Sequence, residues 1–161
     1  MFGRLAEGMV KTFFTIRKLL IENQWYIRPI WRLLHFLYRV ILLLSGSLIH
    51  LETKFSGIPI LVHGLNGIII SKDSVIGKNV FIYQQVTIGW IEKGNKKGAP
   101  MRGNPVIEDN VLIGAGAKIM GGITIGTGAK IGPNCVVIDD VPAHAVLFVD
   151  KPKMILKKTV E

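Results

Sequence analysis

A period of six constrains this chain more than any other feature. From Ile70, every sixth residue is aliphatic: Ile70, Ile76, Ile82 and Ile88. A second series runs Ile107, Ile113, Ile119, Ile125, Ile131 and Val137. The next position is often glycine, at Gly77, Gly89, Gly114, Gly126 and Gly132. The fifth position is small or β-branched: Ser74, Val80, Val86, Val111, Ala117, Ile123, Ala129, Cys135 and Val141. Neither the period of a helix nor the two-residue alternation of a half-buried strand yields an unbroken six. Each unit reads as a short flat strand plus a corner, with three units closing a triangular coil. Stacking such coils by parallel strand pairing makes a mainly β structure, a parallel β-helix, and points the first position of every unit inward.

The register slips between Ile88 and Ile107, nineteen residues apart, one more than a full coil. The stretch from Glu92 to Pro105 holds Gly94, Gly98, Pro100, Gly103, Pro105 and four basic residues, and reads as an extruded loop. Long loops in compact domains are often functional. Upstream, Glu52, Ile58 and Gly64 occupy the Ile70 register poorly, so residues 51–69 are expected to form an irregular first coil. Downstream, Asp139 to Pro142 should end the last coil, with a polar tail beyond. The resulting division is a helical segment 1–50, a β-helix domain 51–149 with an extruded loop 90–105, and a tail 150–161.

Residues 5–22 and 30–49 read as two helices separated at Arg28–Pro29, since proline suits a first helical turn and discourages continuation. Arg28, Arg32, His35 and Arg39 form one polar stripe on an otherwise apolar cylinder, and Trp25, Tyr26, Trp31 and Tyr38 add amphipathic rings. Residues 1–50 carry seven basic and two acidic residues within a chain of net charge +9. Two arginines in mid-segment make a transmembrane placement costly. An interfacial helix on an anionic membrane and a helix packed on protein both remain open. The charge lacks the exposed aromatic platform of a nucleic-acid module, so no nucleic-acid partner is expected. One cysteine, Cys135, excludes an intrachain disulfide framework and fits a reducing compartment. Cytoplasmic location is expected, with the inner membrane face as a peripheral variant.

Of four histidines, His35 and His50 belong to the second helix and His144 to the tail, where local or solvated roles are the default. His63 differs. It sits in the irregular coil before Gly64, Leu65, Asn66 and Gly67, whose glycines permit close approach of another chain. Histidine is the usual general base for a hydroxyl near neutral pH, although a lone histidine is more often structural.

Three segments carry a resemblance: Val62 to Ile70 around His63, Ile82 to Gly89 around Gln84, and Ile113 to Ile119. Together they resemble the serine acetyltransferase branch of the hexapeptide acyltransferases over about residues 50–145. The resemblance implies a left-handed winding, against the common right-handed crossover rule, and places the catalytic histidine on His63. The family's aspartate before that histidine is Val62 here. Its second aspartate, one coil earlier, is Leu48, and Gly103 and Asn104 stand where its loop carries Arg-His before a proline. Those groups handle a charged amino acid in the family, and an unpaired ammonium or carboxylate in a partly buried pocket is costly. In length and plan the chain resembles small acetyltransferases of capsule and exopolysaccharide synthesis, of the colanic-acid type. That likeness implies a sugar hydroxyl as acceptor, on a lipid-linked glycan.

The implied chemistry is direct transfer of acetyl from acetyl-CoA, with His63 as base and Gln84 and Asn104 near the acceptor. A backbone N–H near Gly89 and Trp90 would hold the oxyanion. The cofactor arm would run beside Ala115, Gly116 and Pro133, with Lys118 and Lys130 toward its phosphates. The family implies a homotrimer, or a dimer of trimers, with sites between subunits. Cys135 at an inward fifth position reads as packing rather than a nucleophile. No metal is expected, because a β-helix metal site needs three converging histidines. The alternatives are a serine O-acetyltransferase with altered serine contacts and a non-catalytic membrane-associated scaffold.

Overall fold

The structure, a computed structural model, describes residues 2–22, 28–91, 103–151 and 154. Two helices, α1 (Phe2–Glu22) and α2 (Arg28–Leu44), precede five coils. Coil one holds β1 (Leu48–Ile49), β2 (Lys54–Phe55) and β3 (Ile60–Leu61). Coil two holds β4 (Ile69–Ile70), β5 (Val75–Ile76) and β6 (Phe81–Ile82). Coil three holds β7 (Thr87–Gly89), β8 (Val106–Ile107) and β9 (Leu112–Ile113), and coil four β10 (Lys118–Met120), β11 (Thr124–Ile125) and β12 (Lys130–Ile131). Coil five has β13 (Val136–Val137), a single parallel bridge from Val141 to Ile125, and β14 (Val146–Leu147). All strand pairings between coils are parallel, and they form three faces. Face A stacks β1, β4, β7, β10 and β13; face B stacks β2, β5, β8 and β11; face C stacks β3, β6, β9, β12 and β14. The fold is a left-handed parallel β-helix with an N-terminal helical segment.

The inward ladder is the one the period of six demands. Ile76, Ile82, Ile88, Ile113, Ile119, Ile125 and Ile131 are fully buried, and the fifth-position residues fill the corners between them. Burying one such side chain stabilises by about 1.5–3 kcal/mol. Many of the corners hold a left-handed residue three positions after the inward aliphatic. Asp73, Asn79, Gln85, Asn110, Gly116, Gly128, Asn134 and His144 all hold φ between 53° and 70° there. Asparagine, aspartate and glycine tolerate that backbone; glutamine adopts it less readily.

Coil one is more regular than the sequence reading allowed. Ile49, Phe55 and Leu61 follow one another at six-residue spacing, in a register offset from that of Ile70. The offset arises after Leu61, where nine residues instead of six lead to Ile70. The three additional residues lie in the loop that carries His63. The interval from Ile88 to Ile107 spans one corner between faces A and B rather than a coil plus one residue. Its residues 92–102, including Gly94, Gly98 and Pro100, lie outside the described residues. Ile91 and Gly103 form an antiparallel bridge that closes its base. At the far end, Lys130 pairs with Val146, only sixteen residues on. The winding therefore continues past Pro142 to Leu147, and His144 belongs to a corner rather than a tail.

The second helix stops at Leu44, short of the expected residue 49. Gly46, at φ 60°, ends it in a paired C-terminal motif: Gly46 N–H donates to Leu43 O and Ser47 N–H to Leu42 O. Both helices then cover the open end of coil one. Val10, Phe13, Phe14, Leu20, Tyr38 and Leu42 are buried. Phe13 stacks on Tyr38 at 5.1 Å, and Phe14 meets the Phe55 edge at 5.2 Å. Arg17 donates to the carbonyls of Leu51 and Thr53 and lies 4.7 Å from the centre of the Phe55 ring. Those carbonyls belong to the terminal coil and have no further coil to receive them. Burial lowers the Arg17 pKa from its ordinary value. Burial likewise pushes the Tyr38 phenol up to about 12, and its hydroxyl donates to Ile49 O. Tyr38 is thus core rather than an interfacial ring, and this face of the helices is filled by protein. Trp25 and Tyr26 lie outside the described residues. Among the described residues no helix is long and apolar enough to cross a membrane.

Candidate functional site

The corner joining face C to face A gathers most of the expected site residues into one column. In coil one it carries His63, in coil two Tyr83, Gln84 and Gln85, in coil four Pro133 and Asn134, and between them Ala115 and Gly116. Backbone hydrogen bonds stitch the column together. Gln85 N–H donates to Asn66 O at 2.9 Å, Gly116 N–H to Gln84 O at 3.0 Å, and Asn134 N–H to Ala115 O at 2.9 Å. Neighbours along this edge are therefore one strand spacing apart.

His63 projects from the enlarged corner. Its ring is exposed, its Nδ1 lies 2.6 Å from Gln84 Oε1, and the Tyr83 ring meets it edge-on at 5.7 Å. Leu65, buried beneath, anchors the loop, and Gly64 and Gly67 supply the positive φ values of 69° and 64° that turn it. A cleft of about 380 Å³ opens beside the ring, with Val10, Ile41 and Leu44 of the helices on its other wall. The helical cap thus contributes directly to the histidine's surroundings, which the sequence reading did not anticipate.

The small residues expected along the cofactor path are where the column is narrowest. A Cβ added to Gly116 would stand 2.3 Å from Asn134 Oδ1, so a side chain there would displace Asn134. Pro133 is exposed. Lys118 and Lys130 flank this corner in coil four, on faces A and C respectively. The Lys118 ammonium donates to Gln85 O at 2.9 Å and Gly116 O at 3.0 Å, whereas Lys130 is exposed. Gly89, Trp90 and Asn104 are not in the column. They lie at the opposite edge of face A, around the base of the extruded loop. Gly89 is packed against Met120, Trp90 is exposed, and Asn104 Oδ1 accepts a hydrogen bond from Ser71 Oγ at 2.8 Å. Within one chain the expected residues therefore form two groups on two edges. Cys135 is buried, with its Sγ 3.7 Å from Leu147 O.

Tyr83, Gln85 and Asn66 were missed as site residues. Gln85 had a faint signal, because it occupies the left-handed position that asparagine, aspartate or glycine fills in most other units.

Residues 104–139 match the family of bacterial transferase hexapeptides (six repeats). The serine acetyltransferase of Bacillus pumilus is 36% identical over 127 residues, covering 79% of this chain and 56% of that protein. The chain carries a hexapeptide-repeat transferase domain and is similar to the serine acetyltransferases. Serine acetyltransferase isoform 3 from Entamoeba histolytica, solved with cysteine, superposes with a TM-score of 0.64 at 35% identity, over 78% of this chain and 43% of that one. The Neisseria gonorrhoeae serine acetyltransferase solved with serine gives a TM-score of 0.64 at 31% identity, over 89% and 54%. The chain spans about half the length of the relatives it matches. These likenesses overturn the expected polysaccharide acceptor, because relatives and structural neighbours alike are serine acetyltransferases. The short helical start and compact plan had suggested a glycan, but length is a weak marker of acceptor beside identity through the repeat itself.

Proposed function

We propose that this domain transfers the acetyl group of acetyl-CoA to the hydroxyl of L-serine, with His63 as general base. The observation that carries the reading is the exposed His63 ring, held at the head of the small-residue column and open to a cleft. His63 takes the proton from the serine hydroxyl as its oxygen attacks the thioester carbonyl. The carbon–sulfur bond then breaks, the imidazolium returns its proton to the departing thiolate, and O-acetylserine and free CoA result. No covalent acetyl-enzyme is required, and the buried Cys135 thiol is poorly placed to form one.

Ala115, Gly116 and Pro133 are the proposed bed of the pantetheine arm, and Lys130 the exposed ammonium toward its phosphates. Gly89 and Trp90 belong to the proposed oxyanion side, and Gln84 and Asn104 to the acceptor side. Because these groups occupy two edges of one chain, the proposed assembly is a homotrimer in which one subunit's column faces another's loop base. The outward residues of face A suit such contact: Leu48, Ile69 and Val136 are apolar and 49%, 40% and 67% exposed. Among the described residues no charged side chain besides His63 lines the cleft, and a partner subunit is the proposed source of the charges that meet serine's ammonium and carboxylate. The test is thiol release from acetyl-CoA by the purified chain with L-serine, checked by product mass. Release that depends on L-serine supports the reading. A chain that binds acetyl-CoA yet leaves serine unacetylated contradicts it.

A further inference from the structure

We propose that Gln84 is the positioning residue for His63, fixing its Nδ1-protonated tautomer through the side-chain amide oxygen. The proposal rests on His63 being the base, and adds what holds it ready. An amide oxygen only accepts hydrogen bonds, so with Gln84 Oε1 turned to the ring, 2.6 Å from His63 Nδ1, the pairing is satisfied by a proton on Nδ1. Nε2 then keeps its lone pair for the acceptor hydroxyl. Among the described residues, Gln84 is the hydrogen-bond partner of this ring. The positions where a carboxylate was sought, Val62 and Leu48, are aliphatic.

The turn that carries Gln84 is held from both sides. Its carbonyl accepts from Gly116 N–H, and the next residue, Gln85, donates its N–H to Asn66 O in the His63 loop. Gln85 carries φ 61°, a conformation glutamine rarely adopts, and Lys118 donates to its carbonyl. Non-glycine residues in that region persist where their surroundings over-determine them, often beside functional groups. Tyr83 restrains the ring edge-on. Among the described residues Tyr83 is the titratable neighbour of the ring, since α1 and α2 line the cleft with Val10, Ile41 and Leu44, and Ser45 follows them.

A neutral partner orients the base and stabilises the imidazolium less than a carboxylate would. Replacing Gln84 by glutamate therefore separates orientation from charge. The tautomer is read by nitrogen NMR of the full chain with ¹⁵N-labelled histidine, the His63 signals being assigned by their loss in His63→Ala. The expected result is protonated Nδ1 and bare Nε2 in the wild type, with that preference lost in Gln84→Leu. In activity, Gln84→Leu should lower kcat about tenfold or more while KM for acetyl-CoA holds. Gln84→Glu should move the acid limb of kcat/KM upward by about 1–2 pH units, as a nearby opposite charge favours the imidazolium. Protonated Nε2 in the wild type, an unchanged tautomer in Gln84→Leu, or an unmoved acid limb in Gln84→Glu would each overturn the proposal. The wild-type spectrum decides even if a variant fails to fold. If His63→Ala keeps full activity, the base assignment falls separately, while the tautomer still reports the pairing.

Discussion

Of the histidines at corners of the solenoid, His144 and His63 are held in different ways, and His63 is the one that lines the cleft described above. His144 occupies the regular left-handed position of its corner at φ 61°, with its N–H bound to Thr127 O and its ring packed on Gly128. His63 stands in a corner lengthened by three residues, exposed and paired through its side chain to Gln84. A corner of standard length ties its backbone to the coil before it. An enlarged one lifts a side chain clear of the stack, and its glycines carry the turn that would otherwise fall on the functional residue.

That contrast sets the expected order of effects. The largest belongs to His63→Ala, which should lower turnover by about 10²–10⁴, the usual contribution of a general base, without changing the melting temperature. His144→Ala, measured alongside, should leave turnover intact; equal losses would erase the distinction between the corners. Next comes Gly128→Ala. Its Cβ would lie 2.7 Å from His144 Nδ1, on a backbone at φ 70°, and the expected cost is about 1–3 kcal/mol in urea denaturation, with activity per folded molecule unchanged. The double variant Gly128→Ala with His144→Ala should recover the steric part of that loss and keep the backbone part. The smallest effect concerns Glu108, at the corner between faces B and C. Hydrogen bonds from the Thr127 hydroxyl and then the Thr127 N–H hold its carboxyl below the usual range. A carboxyl whose pKa falls on folding adds stability above its unfolded value, and loses it as pH drops through the folded one. Wild type should therefore lose more stability than Glu108→Gln between about pH 5 and pH 3, around the ordinary glutamate range. Parallel acid curves would show that the Thr127 contacts are energetically idle.

The inner ladder was legible because burial on three faces leaves little freedom at every sixth position, and Ile70 through Val137 announce it. Coil one was hidden by a change of frame. Counted back from Ile70, the positions are Gly64, Ile58 and Glu52, whereas the true inward residues are Leu61, Phe55 and Ile49. The helix end was readable at Gly46 but was overridden by the apolar run through Ile49. The last turn was obscured by a contraction of two residues before Val141. His63 was found by family likeness, not by its spacing. Its pairing with Gln84 could not be read from the chain, because it depends on how an enlarged corner stacks on a regular one. The packing of the helices had the same origin: an apolar face suits a membrane or a protein partner equally, and Arg17 reaching the carbonyls of Leu51 and Thr53 shows that one face meets coil one.

The central claim is that His63 drives direct acetyl transfer to serine. A rapid-quench experiment with acetyl-CoA and L-serine, analysed by intact mass of protein and small products, tests it most directly. The expected result is O-acetylserine from the wild type with no acetylated protein at any time, and neither species from His63→Ala. An acetyl group found on Cys135 during turnover, or product from His63→Ala at the wild-type rate, would contradict it.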